Sequence, residues 1–558
     1  MSNNNFKVYL PFLFAIVLAL GILLGLNLNF GKTPAGTTEK KFFSIGFDRY
    51  DKLGDIVNYI MESYVDSLNR EKLTQETIVN LLRNLDPHSS YIPASAFRQM
   101  NDPLMGSFEG IGIEFNMMTD TVVVINPVPG GPSESIGIRA GDRIVKVEGE
   151  PIAGVNMNTQ DVVNKLKGPK GTKVTVGVQR RGVDELLEFT ITRDKIPSYS
   201  LDIAYMIDDV TGYIKLGQFS ATTHQEFRSA MERLKRHGME QLILDFRGNG
   251  GGFLEASIQL ADELLQPQSL IVYTDGLNRP KTQAYARRNG LFETQPLVIL
   301  IDEWSASASE IVAGAVQDHD RGVIIGRRSF GKGLVQEQVQ LGDGSALRLT
   351  VARYYTPSGR SIQRPYDNGR EEYYTDFMQR MLDGELEHPD SIRNNDSLRF
   401  KTTAGRTVYG GGGITPDIFI PLVTEERTPY FIQAANRGLI YRFAFDHADN
   451  NREQLTRFDD AADYRENFRV SDQLLREFID FAAQNGVKYN ETEFMGARTL
   501  ISTQIKAYIG RNIFGNEGFF PVLNQHDNAI TKALEVLHSG RFISYLTPQK
   551  ETAESIEP

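Results

Sequence analysis

The sequence predicts a multidomain α/β protein: an N-terminal membrane anchor and helical region, a small β-rich module, an α/β core and a helical C-terminal extension. Three observations predict it. The chain has 558 residues, too many for one compact core. It opens on a long apolar run over residues 8–26. Behind that run its texture changes near residues 106, 196 and 424, from helix-like spacing to short strand-like runs, then to alternating strands and helices, then to helix again.

The apolar run, with Leu10, Phe12, Ile16, Leu20 and Leu23, suits a membrane span, which needs about 20 such residues. A cleaved secretion signal is the alternative, but its apolar region is usually about 7–15 residues, and no A-x-A site follows around Asn27, Asn29 and Gly31. The flanking lysines, Lys7 before and Lys32, Lys40 and Lys41 after, decide little about orientation. Either reading of residues 1–31 sends the rest of the chain across a membrane. Residues 43–105 read as helical, with Ile56, Ile60, Tyr64, Ile78, Leu82 and Leu85 spaced for packing. Asp86-Pro87-His88-Ser89 reads as the turn that ends this stretch, because Pro87 keeps its predecessor out of the helical region. His88 reads as structural.

Composition narrows the function. With 41% hydrophobic and 23% charged residues and a net charge of −11, the chain is globular and offers no general attraction to nucleic acid. The absence of cysteine excludes disulfides, thiolate metal sites and a cysteine nucleophile.

In the β-rich module, β-branched runs at 121–125 and 173–178 alternate with Gly/Pro turns. Here "GIRAGDRIVKVEGEPI" (137–152) resembles the middle of a PDZ domain, and "EGIGIEF" (109–115) resembles its carboxylate-binding loop and first peptide-binding strand. The resemblance, over about 106–195, implies that a chain's C-terminus adds as a strand, with Gly110, Ile111, Gly112 and Ile113 as peptide-binding residues. Gly110 and Gly112 would permit the close backbone approach.

From residue 196 the alternation argues for an α/β layer. Thr223 opens a helix that places Phe227, Ala230, Met231 and Leu234 on one face, with Gly238 as its stop. "LILDFRGNGGGFLEA" then carries a buried strand into Gly248, Gly250, Gly251 and Gly252 ahead of a helix. Such a loop can present backbone N–H groups to an anion or oxyanion. No Gly-Lys-Ser/Thr follows it, so a phosphate loop is disfavoured. A second strand, "PLVILID" (296–302), leads into "EWSASASEIVAGAVQDHD". A serine at that junction can face a cleft while the next N–H points at developing negative charge, although Ser305 or Ser309 could equally cap the helix. Lys332, flanked by glycines in "SFGKG", could be a plain turn residue. As a general base it must be neutral, and burial can lower an amine's reference pKa of about 10.4 by several units. His319, between Asp318 and Asp320, is the lure for a Ser-His-Asp arrangement, and its place late in a helix predicts a solvated group. No HExxH pair or carboxylate ladder supports a metal.

Taken together and in this order, the PDZ-like module, "DFRGNGGG", "SASASE" and "FGKG" resemble the C-terminal processing (tail-specific) peptidases, related in fold to the crotonase-like α/β proteins. "YGGGGITPD" (409–417) is a further match. The resemblance implies a serine-type endopeptidase core over 196–423 in which Ser307 is the nucleophile and Lys332 the base. It implies that Gln336, one helical-type step beyond, orients the lysine, and that Ala308 and Gly251 supply the oxyanion hole, with one residue of latitude among the glycines. It further implies no cofactor, protein or peptide substrates with exposed C-termini, and a PDZ module that also gates the site. The location it implies is a bacterial inner (cytoplasmic) membrane, crossed once by the N-terminal helix, with the catalytic part in the periplasm. A homo-oligomer or an adaptor protein stays open. The alternative is a catalytically inactive, membrane-tethered PDZ scaffold, against which the intact Ser307, Lys332 and Gln336 argue. Residues 370–400 read as a charged insertion. The extension over 424–558 reads as helical, with Tyr430, Phe431, Phe443, Phe445, Phe478 and Phe481 as core or interface.

Overall fold

The computed structural model of the protein describes residues 51–118 and 120–547, so the anchor or signal read at 1–31 lies outside the described residues. Among the described residues no helix is long and apolar enough to cross a membrane. The chain divides into two units, Met1–Thr74 and Gln75–Pro558. In the first, a helix spans Lys52–Ser63, started by Asp51, whose carboxylate accepts the Gly54 N–H at 3.0 Å. It buries none of its residues, and Ile56 and Tyr64 stand exposed. The spacing that predicted packing therefore marks an apolar face that no described residue buries. In the second unit Leu82 is buried, whereas Leu85 is exposed.

The second unit is organised by a six-stranded sheet in the order Leu201–Met206, Thr211–Leu216, Gln241–Asp245, Leu297–Ile301, Val323–Gly326, Ile418–Phe419. The first pair is antiparallel and the others are parallel. Its central strands are apolar at successive positions because both faces are covered. Leu242, Leu244, Leu297 and Ile299 pack on the helices Thr223–Arg236, Leu254–Asp262 and Ala308–Asp318. Ile243, Val298 and Leu300 point to the other face and meet Ile530, Ala533 and Leu537 of the helix Asn528–His538. The C-terminal extension thus supplies the second covering layer of the α/β core.

A second, antiparallel sheet completes the core. Its long strand Ala346–Tyr355 lies between Leu334–Gln340 and Ser90–Ile92 and also pairs with Leu270–Gly276. The stretch read as the end of the N-terminal helical region therefore gives a strand to this sheet, with Ser90 opposite Arg348.

The β-rich module is a six-stranded sheet with the helix Thr159–Leu166 against it. Its strand Ile113–Met118 pairs on one side only, with Thr121–Pro127, so the other edge is open to a further strand among those described. Gly112, just before it, has φ +73°, and its carbonyl accepts the Val128 N–H at 2.9 Å. Beyond the core, the helices Pro429–Asn436, Leu439–Asn450, Asp472–Gln484 and Glu491–Phe514 bury Tyr430, Phe431, Phe443 and Phe478 together, with Phe481 packed beside them. Phe445 is buried as well. This bundle reaches the β-rich module through Arg511 to Glu114 at 2.5 Å and through Asp449, 3.8 Å from both Arg143 and Arg181.

Candidate active site

The site lies where two parallel strands end side by side. The loop after Gln241–Asp245 carries the glycines, and the loop after Leu297–Ile301 carries the serines. Asn249 joins the two loops. Its carbonyl accepts the Ala306 N–H and the Ser309 hydroxyl at 3.0 Å each, and its side-chain amide donates to the Leu216 carbonyl at 2.8 Å. Ser305 accepts the Asp302 N–H and donates to the Phe246 carbonyl, both at 2.9 Å. Ser305 and Ser309 thus tie the turn together and do not cap the helix.

Ser307 stands at the N-cap of Ala308–Asp318 with φ +56° and ψ −111°. A non-glycine residue held there is strained, a condition that persists only where the surroundings impose it. Ala308 begins the helix, where an N–H has no intrahelical acceptor. Gly251 packs so tightly that an added Cβ would lie 2.8 Å from the Ser307 Cβ. Its own N–H is donated to Asn249 Oδ1 at 2.8 Å. The bridge between Gly252 and Phe219 uses the Gly251 carbonyl and the Phe253 N–H, leaving the Gly252 N–H on the opposite edge.

Lys332 and Gln336 line the same cavity of about 360 Å³ as Ser307, Ala308 and the glycine loop, with Leu254, Ile311 and Leu334 as apolar wall. The Lys332 Nζ donates to Gln336 Oε1 at 3.0 Å, and the Gln336 amide donates to the His88 carbonyl at 2.8 Å. Gln336 sits on the strand Leu334–Gln340, and a register shift between Val335 and Gln336 interrupts that strand's ladder. Burial, and then the cation Arg348, hold the Lys332 amine below its ordinary value, while Glu310 and Asp86 oppose them.

Glu310 and Tyr354 connect the serine turn to the lysine turn, and sequence reading assigned neither a role. The Glu310 carboxylate is buried and accepts the N–H groups of Ser307 at 2.8 Å, Lys332 at 2.9 Å and Gly331 at 2.7 Å, and the Ser329 hydroxyl at 2.5 Å. Burial pushes its pKa up against those hydrogen bonds. Its backward bond to the Ser307 N–H is half of a capping box, so the glutamate of "SASASE" was its signal. The Tyr354 hydroxyl donates to the carbonyls of Ser307, at 3.2 Å, and of Lys332. Behind the lysine, Gly331 and Gly413 approach closely, an added Cβ on Gly331 falling 3.1 Å from the Gly413 nitrogen, which places the "YGGGG" stretch against this turn.

The turn at Asp86 closes the far side. Burial would raise the Asp86 carboxyl, but hydrogen bonds from Ser89, His88 and Thr350 outweigh it and hold it low. Burial, with Lys332 nearby, takes His88 down to about 3, so it is neutral, and its Nε2 lies 2.9 Å from the Tyr373 hydroxyl. Tyr373 belongs to the helix Arg370–Leu382 of the stretch read as a charged insertion, so that stretch buttresses the site. His319, expected to be solvated, is half-buried with Nε2 2.7 Å from the Leu270 carbonyl.

The α/β core with its cleft at the serine turn, beside the β-rich module, fits a serine peptidase joined to a PDZ domain. Family models agree: residues 210–367 match peptidase family S41, residues 123–180 match the PDZ domain, and residues 430–515 match a family of unknown function, DUF8443. The carboxy-terminal-processing protease of Bartonella bacilliformis is 39% identical over 317 residues, 56% of this chain and 72% of that protein. The carboxy-terminal processing protease CtpA of Bacillus subtilis is 32% identical over 353 residues, 63% of this chain and 75% of that one. A solved photosystem II D1 C-terminal processing protease is 30% identical, covering 57% of this chain and 91% of its own, with a TM-score of 0.33. The chain belongs to peptidase family S41, among its carboxy-terminal processing proteases.

Proposed function

We propose that Ser307 and Lys332 form the catalytic dyad of a membrane-tethered endopeptidase whose PDZ domain takes up the C-terminus of a protein chain. The observation that carries this reading is the Lys332 amine, buried in the same cavity as Ser307 and held by Gln336. A neutral Lys332 takes the proton of the Ser307 hydroxyl, and the oxygen attacks the scissile carbonyl. The N–H of Ala308 and a glycine-loop N–H, for which Gly252 is the better candidate, receive the oxyanion. Protonated Lys332 then gives its proton to the departing amine, and water, activated by the same lysine, releases the acyl group. The apolar wall of Leu254, Ile311 and Leu334 suits an apolar residue before the cut bond.

The PDZ edge strand Ile113–Met118, with Gly110, Ile111 and Gly112 before it, would hold the terminus of the substrate by strand addition. Bringing that terminus into the cleft would couple uptake to cleavage. The apolar run at 8–26 supports a tether in a bacterial cytoplasmic membrane with the catalytic part in the periplasm.

The test is cleavage of an unstructured protein with an apolar C-terminus by the full chain and by Ser307→Ala and Lys332→Ala. Cutting by the wild type and binding without cutting by both variants are expected. Cutting by either variant at the wild-type rate overturns the dyad.

A further inference from the structure

Among the described residues, the carboxylates around the catalytic cavity already have partners. Glu310 is saturated by its four donors. Glu337 is paired with Arg279 at 2.6 Å. Asp86 is held by Ser89, His88 and Thr350. Arg348 also lines the cavity, on the strand Ala346–Tyr355, opposite Gln338 and two residues from Thr350, which faces Gln336. Its one hydrogen bond among the described residues runs from Nη2 to Gln338 Oε1 at 3.1 Å, and no carboxylate pairs with it there.

Arg348 is half-buried, and a guanidinium partly withdrawn from water gains from a counter-charge that shares its donors. Burial indeed holds this one below its ordinary value. Most of its five N–H donors stay available, arranged in the fork that fits a carboxylate with two parallel hydrogen bonds. The chain such an enzyme cuts supplies that group, since the fragment removed from a protein's C-terminus always ends in a carboxylate.

We propose that Arg348 is a carboxylate-binding subsite of the catalytic cleft, taking a carboxylate of the bound chain on the Gln336–Gln338 side of the cavity. The proposal rests on cleavage in the Ser307–Lys332 cleft. Two sources share the chemistry: the terminal α-carboxylate of the tail, and an aspartate or glutamate within it. A bound carboxylate beside Arg348 would also register the chain, favouring cuts at a set distance from the charged residue.

Three peptides without other acids test this: one ending in a free acid, one ending in an amide, and an amidated one with a single glutamate moved along it. The full chain, R348Q and R348K are compared by kcat/KM, each on the pH-independent plateau of its own profile. The PDZ domain's preference for a free terminus is common to all three enzymes, so the change in the acid-to-amide ratio isolates Arg348. R348Q is expected to lower the carboxylate-to-amide ratio of kcat/KM by about 10–100-fold, with R348K between it and the wild type. A loss confined to the terminal acid identifies the α-carboxylate, and one confined to the glutamate peptides identifies an acidic side chain. Equal loss on all three, complete inactivity included, or no loss on any, overturns the proposal. Cleavage by Ser307→Ala would instead overturn the dyad, so the two failures are distinguishable.

Discussion

Replacing Glu310 separates a charge that merely fills space from one that fastens the Ser307 turn to the Lys332 turn. In Glu310→Gln the amide nitrogen must replace one carboxylate oxygen. Oε2 accepts the N–H groups of Ser307 and Lys332, whereas Oε1 accepts the Gly331 N–H and the Ser329 hydroxyl. The nitrogen will turn to the Oε1 side, because the Ser329 oxygen can accept from it and already accepts the Ile414 N–H at 2.7 Å. One backbone N–H, that of Gly331, is then orphaned, at a cost of about 1–3 kcal/mol. Glu310→Ala orphans three, those of Ser307, Gly331 and Lys332, at about 3–9 kcal/mol. The relief from no longer burying a charge is common to both variants and cancels between them. Alanine is therefore expected to be less stable than glutamine by about 2–6 kcal/mol. Urea unfolding of both full-length variants at neutral pH, followed by near-UV circular dichroism, measures the difference. Activity should fall in both, in kcat more than in KM, because the position of Lys332 relative to Ser307 changes. Equal stability of the two variants would refute the reasoning, since it would mean that water reaches those N–H groups and the carboxylate is not what holds the two turns together.

Two further outcomes follow from the same geometry. Because burial and Arg348 hold the Lys332 amine below its reference value of 10.5, activity should rise with pH along a limb whose midpoint lies below that value. Between the folded and unfolded values the unfolded chain binds the extra proton, so this lysine's contribution to stability rises with pH across that window and is lost below it. Gln336→Glu, which sets a carboxylate against the amine, should move the limb to higher pH, and Arg348→Gln, which removes a repelling cation, should do the same; a pH–kcat profile reads both. In the glycine loop, Gly252 has φ +150°, and an added Cβ would fall 1.9 Å from the Phe219 carbonyl oxygen. Gly252→Ala should therefore lose about 2–6 kcal/mol from backbone strain and overlap, while Gly250→Ala, which meets open space, should melt like the wild type.

What was legible in the sequence depended on how local its cause was. The strand–glycine loop and the strand–serine turn could be read because each is a contiguous run whose backbone needs declare themselves: apolar residues for a strand covered on both faces, glycines where no Cβ fits. The same locality made Gln336 ambiguous. The run from Leu334 reads as a strand, but which of its side chains meets the lysine is set by pairing with Ala346–Tyr355, broken by a register shift. Asp86, His88 and Tyr373 were out of reach for a different reason. His88 meets Tyr373 across 285 positions, and no pattern in either stretch encodes that the turn of one packs on the helix of the other. The layered role of Asn528–His538 was hidden likewise, since an amphipathic helix states that it has an apolar face but not which sheet it covers. Arg348 is the instructive middle case. What distinguishes it is that the neighbouring acids among the described residues are already engaged, and that property exists only once all the partners are in place. For a peptidase that is also where recognition is to be sought, because a charge that the fold leaves uncompensated in its own cleft is one that the bound chain is left to neutralise.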